Sequence, residues 1–273
     1  MKVKPFVWML MLLSSRVIVA QDYNLGARAQ ALGGSGVACA TDPEGQFINP
    51  AALTQVPGQA VTLFYSRPFG IREITLSSVA ASAAFGKMSL GGAVTHLAQA
   101  QFDDQSYQFT LAAKVSLPTK RRTAAKHFLL GVQGAWRRIR IAGYETAHSG
   151  RMNAGLVVPI TQQLAWGAAL GNLMGASREQ QPRSLALGLH YRPSARFAGQ
   201  FDLYKQGGFA QEIRSGIELV LFSPLLLRAG MATNPDRFTL GLAFALQPVT
   251  LHFTTFSHFD LGWTQQYAAT LRH

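Results

Sequence analysis

Beyond residue 58 the chain alternates between apolar and polar or small positions. In segment 184–192, Leu185, Leu187, Leu189 and Tyr191 share one face, and Ser184, Ala186, Gly188, His190 and Arg192 share the other. Segment 197–204 sets Phe197, Gly199, Phe201 and Leu203 against Ala198, Gln200, Asp202 and Tyr204. Segments 107–117, 238–246 and 249–254 repeat the pattern, with Tyr107, Phe109, Leu111, Phe238, Leu240 and Leu251 on the apolar side. A period of two is that of a β-strand with one apolar face, because successive side chains point to opposite sides.

Breaks between these runs come regularly. Gly, Pro, Asn and Asp mark turns at 68–70, 86–87, 102–104, 118–126, 143–150, 159–163, 175–182, 193–194, 206–208, 223–224, 234–236, 247–248 and 259–262. Thirteen turns separate fourteen strands. About fifteen residues per strand and turn suits tilted strands of about 9–11 residues that cross a bilayer. The even number suits a closed barrel with both chain ends on one side. The even-numbered turns are mostly tight, and the odd set includes the longer 143–150, 175–182 and 259–262 loops. Segment 118–126, with Lys120, Arg121, Arg122 and Lys126, departs from that asymmetry.

Composition decides between a barrel and a soluble β-sandwich. Charged residues are 14% and hydrophobic residues 48%, against about 25% charged in a soluble domain. A sandwich would place Lys and Glu on its solvent face. Here the second face is Ala, Gly, Ser, Thr and Gln, as in a narrow lumen filled by small side chains. The fold expected is all-β: a transmembrane antiparallel up-and-down β-barrel of about fourteen strands, preceded by an N-terminal segment.

The N-terminus reads as an export signal. Lys2 and Lys4 precede an apolar run from Phe6 to Leu13, and Ala20 ends the segment. The organisation expected is a signal peptide at 1–20, an N-terminal segment at 21–57 and a barrel at 58–273. Net charge is +12. Removing Lys2, Lys4 and Arg16 from the 25 basic residues leaves 22 against 13 acidic ones. Such an excess fits nucleic acid or anionic lipid, but an exported chain meets the second, so lipid is the expected partner and nucleic acid is not. Cys39, the single cysteine, excludes an internal disulfide.

Residues 31–53, ALGGSGVACATDPEGQFINPAAL, are glycine-rich and short of charge. No lysine follows the glycines, and the frame of a dinucleotide loop is missing, so a phosphate site is excluded. Gly33, Gly34 and Gly36 permit close backbone approach. Asp42 marks a turn, and Asn49 with Pro50 fixes the chain locally. Such a segment can pack inside a barrel, where protein satisfies its backbone.

In order, Gly26, Ala27, Arg28, Leu32, Gly33, Gly34, Val37, Ala38, Asp42, Asn49, Pro50, Ala51 and Leu53 resemble the start of the PorV/PorQ family of outer-membrane barrels, within the FadL-type superfamily of hydrophobic-compound transporters. Segments 65–80, 167–175, 227–244 and 256–271 resemble that family's strands more loosely. The resemblance implies a fourteen-stranded barrel in the outer membrane of a Gram-negative bacterium, with residues 21–57 as its N-terminal plug. Two functions follow from it. One is an accessory or shuttle of type IX protein secretion, whose partners are exported proteins or secretion-system subunits. The alternative is passive FadL-like uptake of an apolar small molecule. The chain departs from outer-membrane barrels at its end, Leu271-Arg272-His273, where an aromatic residue is usual.

On the inner face, Glu212, Arg214 and Glu218 share one strand's polar side, Asp202 points inward before them, and His190 and Arg192 precede it. Charges in a narrow lumen must pair, so Asp202, Arg192, Glu212, Arg214 and Glu218 are expected to form one polar network. His190, His252 and His258 lack metal-ligand spacing, and no metal or cofactor is expected. Ser257 and His258 are adjacent on a strand and point apart, so no catalytic pair forms and an enzyme is not expected.

Overall fold

The computed structural model describes residues 26–116, 127–174, 182–258 and 262–273. Its strands are β1 Gln59–Arg67, β2 Thr75–Phe85, β3 Met88–Gln99, β4 Phe102–Ser116, β5 His127–Ile141, β6 Ala147–Pro159 and β7 Leu164–Gly171. They continue as β8 Ser184–Tyr191, β9 Phe197–Gln206, β10 Glu212–Phe222, β11 Leu225–Ala232, β12 Arg237–Leu246, β13 Val249–His258 and β14 Gly262–Arg272. Each pairs antiparallel with its neighbours in sequence, and β14 closes on β1 through Leu63 opposite Ala269 and Tyr65 opposite Tyr267. Closure leaves no strand edge, which in hydrocarbon would cost several kcal/mol for each unpaired backbone group.

Parity sorts the side chains as the alternation requires. Phe109 is 61% exposed and Phe238 66%, both on the outside, while Thr110 and Thr239 beside them in sequence are buried inside. A continuous apolar exterior of this kind is what a closed barrel presents to lipid. Tyr107 and Trp136 face each other across β4 and β5 on that exterior, and Tyr191 and Trp263 are exposed elsewhere on it. No described helix is long and apolar enough to cross a membrane, which says nothing about strands.

One expected turn is not a turn. Phe102, Asp103 and Asp104 lie in β4, opposite Ile141, Arg140 and Ile139. The reversal sits at Ala100 and Gln101. The aspartates stay in the strand because side chains of the flanking strands meet them: Arg137 Nε is 2.8 Å from Asp104, and His96 Nε2 is 2.7 Å from Asp103. The 143–150 loop also shrinks, since β6 begins at Ala147 and His148 stacks on Trp136 at 5.1 Å. Residues 1–20, 118–126, 175–181 and 259–261, where a signal and three loops were expected, lie outside the described residues.

Residues 26–56 lie within the barrel. A short helix, α1 (Ala27–Ala31), is followed by two 3-10 turns, Pro43–Phe47 and Pro50–Gln55. Both turns begin in the same way. Asp42 accepts the Glu44 N–H at 3.1 Å, Asn49 accepts the Ala51 N–H at 3.0 Å, and a proline follows each cap. A side-chain acceptor at the cap and a proline at the first helical position are the favoured start of a helical turn.

Candidate functional site

The lumen wall meets this segment through glycine. Gly131 and Gly155 are partners across β5 and β6, Gly167 and Gly188 across β7 and β8, and Gly216 and Gly230 across β10 and β11. A Cβ at Gly216 would lie 2.6 Å from the Leu32 Cα, and one at Gly167 would lie 2.5 Å from the Val37 carbonyl oxygen. At Gly131 it would overlap the backbone of Pro50 and Ala51. The missing side chains let the segment's backbone approach the sheet to contact distance. Gly33 contributes from the other side: its φ is +72° and its N–H donates to Thr239 Oγ1 at 3.0 Å. The Gly34 N–H donates to the Ala29 carbonyl at 2.8 Å, closing α1.

Polar side chains then hold the docked backbone. Asp202 Oδ2 accepts the N–H groups of Gly36 at 2.6 Å and Val37 at 3.0 Å. The Asn49 amide donates to the Val37 carbonyl at 2.6 Å and reaches the strand carbonyls of Leu156 and Ala168 at 3.2 and 3.3 Å. Gln133 donates to the Gln46 carbonyl and to Thr110 Oγ1, both at 3.0 Å, and accepts from Asn153 at 2.8 Å. At the end where β1 starts and β14 finishes, called the near end, Arg272 donates to the Thr41 carbonyl at 3.0 Å.

The inward charges divide into separate groups. Glu218 lies between two guanidinium groups, Arg228 at 2.7 Å and Arg28 of α1 at 3.3 Å. Arg228 in turn donates to His252 Nδ1 at 3.0 Å, which leaves the proton of the neutral ring on Nε2, facing Thr270. Glu212 pairs with Arg214 at 2.7 Å and lies 3.8 Å from Arg237, while Arg214 covers the Tyr204 ring at 3.9 Å. Asp202 is opposite Arg214 in register, yet its Oδ2 is bound to the N-terminal segment. Arg192 is exposed, one residue past the end of β8, and is in none of the ion pairs just described. Alternation identified the face of each residue and could not identify its partner. Arg28, Arg228 and Arg237 were missed, although Arg228 shows the inward parity of β11 between Leu227 and Ala229.

A cavity of about 140 Å³ lies above the segment, toward the far end of the barrel. Val37, Phe47, Ile48 and Pro50 of the segment form its floor, and Ala169 and Ala186 line one wall. The rest of the lining is mostly polar and includes Gln108, Arg151, Asn153, Asp202, Tyr204 and Arg214. Among the described residues no three His, Cys, Asp or Glu side chains gather as a metal would require.

No protein-family model matches the chain, and no curated protein matches it in sequence. Solved structures do match. The toluene transporter TbuX of Ralstonia pickettii aligns over 90% of this chain and 97% of its own, with a TM-score of 0.64 and 13% identity. CymD, a monoaromatic hydrocarbon channel, aligns over 91% and 97%, with a TM-score of 0.66 and 13% identity. A FadL homologue of Pseudomonas aeruginosa aligns over 90% and 98%, with a TM-score of 0.62 and 10% identity. The chain therefore has the fold of the FadL-type outer-membrane β-barrels. At such identities the fold is what is shared. These neighbours stand on the hydrophobic-compound side of the superfamily, and the narrower PorV/PorQ resemblance rests on the N-terminal motif.

Proposed function

We propose that this chain sits in the outer membrane of a Gram-negative bacterium and lets a small apolar molecule cross it passively. The first twenty residues serve as the export signal, residues 21–57 as a plug, and residues 58–273 as the barrel. The observation that carries the reading is the cavity of about 140 Å³ whose apolar floor belongs to the N-terminal segment itself. A dry cavity of about 150 Å³ takes up benzene, so the space suits one ring. Because the floor is part of the plug, a shift of residues 33–50 would open the way below. The likeness to a toluene transporter and a hydrocarbon channel supports the same direction. We assign no catalytic role.

Uptake by cells tests the proposal. A strain lacking the gene should take up labelled toluene more slowly at limiting concentration, and the chain supplied in trans should restore the rate. An unchanged rate would overturn the reading. A role in type IX secretion is supported by the motif of residues 26–53. That motif also has a packing role, since Gly33, Asn49 and Pro50 contact the barrel wall. The secretion role predicts cargo retained in the periplasm on deletion and a copurifying secretion subunit.

A further inference from the structure

The cavity above the N-terminal segment has an apolar floor and one unusual wall residue. Gln108 of β4 is 6% exposed and lines the cavity, and among the described residues neither its amide nitrogen nor its amide oxygen has a hydrogen-bond partner. Among the described residues the Ser106 hydroxyl, also on the inner face of β4, is likewise without a partner, but Ser106 does not line the cavity. Thr110, two residues beyond Gln108, is bonded to Gln46 and Gln133. Across the cavity, Asp202 uses one oxygen on the Gly36 and Val37 N–H groups, and its other oxygen, Oδ1, has no partner.

The charged residues that line the cavity are Arg151, Arg214 and Asp202, and Arg151 is engaged within the protein. Arg214 is held by Glu212 at 2.7 Å and covers the Tyr204 ring. The groups left open are therefore a neutral amide, offering one donor and one acceptor, and a carboxylate oxygen that can only accept. A pure hydrocarbon in this space would leave all of them desolvated and unpaired, which is costly for buried polar groups. An anion would meet the Asp202 carboxylate.

We propose that the cavity selects a neutral ring-sized molecule carrying both a hydrogen-bond donor and an acceptor, such as a primary amide, over the corresponding hydrocarbon. The ring rests on Val37, Ile48 and Ala186. The polar group bonds to the Gln108 amide and directs a donor toward Asp202 Oδ1. This deepens the passage reading given above and rests on it, since the same cavity serves both.

The test uses the full barrel in lipid nanodiscs, with the Gln108 side-chain amide and the Val37 and Ile48 backbone amides followed by NMR. Benzamide, toluene and benzoate are the probes, compared at equal activity in water. Benzamide should bind about tenfold more tightly than toluene and more tightly than benzoate, shifting the Gln108 side-chain signal directly. Gln108→Leu should reverse the order of benzamide and toluene. The wild-type comparison stands without the variant. Toluene or benzoate binding as tightly as benzamide would overturn this inference and leave the passage of small molecules standing. No shift with any probe would overturn both.

Discussion

Gly131 and Gly155 face each other across β5 and β6; the backbone of Pro50 and Ala51 lies against Gly131, and the Asn49 side chain and the Ala51 N–H lie against Gly155. The pair works as a landing surface, because a side chain at either position would occupy space already filled by the N-terminal segment. Replacing Gly155 with leucine should therefore leave the barrel closed and displace the segment. Overpacking a filled site costs about 1–3 kcal/mol, and here that cost falls on the docked segment. Hydrogen exchange should accelerate at residues 37–53, while the strands stay protected. Equal acceleration in β5 and β6 would mean that the glycines serve the sheet instead.

Much of the fold was legible because one constraint acts on every strand: one face meets the exterior and the other the lumen. This is why Leu185, Leu187 and Leu189 could be separated from Ala186 and Gly188 by parity alone. What stayed hidden depends on other strands. Asp103 and Asp104 read locally as a turn, and only His96 and Arg137, on β3 and β5, explain why they remain in β4. The inward glycines read as part of a narrow lumen filled by small side chains, whereas Gly131, Gly167 and Gly216 are surfaces for the N-terminal backbone. Glu218 lies inside the barrel, and its partner Arg28 is 190 residues away in sequence.

Glu218 carries the charge balance of its group, since it is the carboxylate between Arg28 and Arg228. Removing it leaves two buried guanidinium groups facing each other, whereas removing Arg28 leaves the Glu218–Arg228 pair intact. Breaking a buried pair by deleting one partner costs about 3–5 kcal/mol. Glu218→Gln should approach that range, and Arg28→Met should cost clearly less. Urea unfolding in detergent micelles would rank the two variants. A larger loss for Arg28→Met would show that the arginine acts through packing of its stem rather than through charge.

Asp202 links the barrel wall to the segment through two backbone N–H groups on one oxygen. An asparagine there keeps the shape but loses the charge that strengthens both bonds, a loss of about 1.5–3 kcal/mol for bonds to a charged group. Asp202→Asn should loosen residues 33–38 and raise the single-channel conductance of the barrel in planar bilayers. Conductance equal to wild type, with unchanged exchange at Gly36 and Val37, would show that the segment is held by its glycine contacts alone.

Glu44 makes the docking of the segment sensitive to pH. Its side chain is buried, and Oε2 accepts the Ala27 N–H at 3.1 Å, tying the second part of the segment to α1. Burial first, and the neighbouring Asp42 second, push its carboxyl well above the ordinary value of 4.5, and the Ala27 N–H opposes them only in part. A carboxyl that ionises less readily in the folded state than in the unfolded one binds its proton more tightly when folded. Its contribution to stability is thus complete below about pH 4.5 and declines as pH rises from there toward the raised folded value. Glu44→Gln retains an oxygen to accept the Ala27 N–H and has no charge to bury. Thermal unfolding midpoints measured from about pH 4 to about pH 8 should fall for the wild type relative to the variant as pH rises. Parallel curves across that range would mean that Glu44 stays ionised in the folded barrel and that the segment does not respond to pH through this residue.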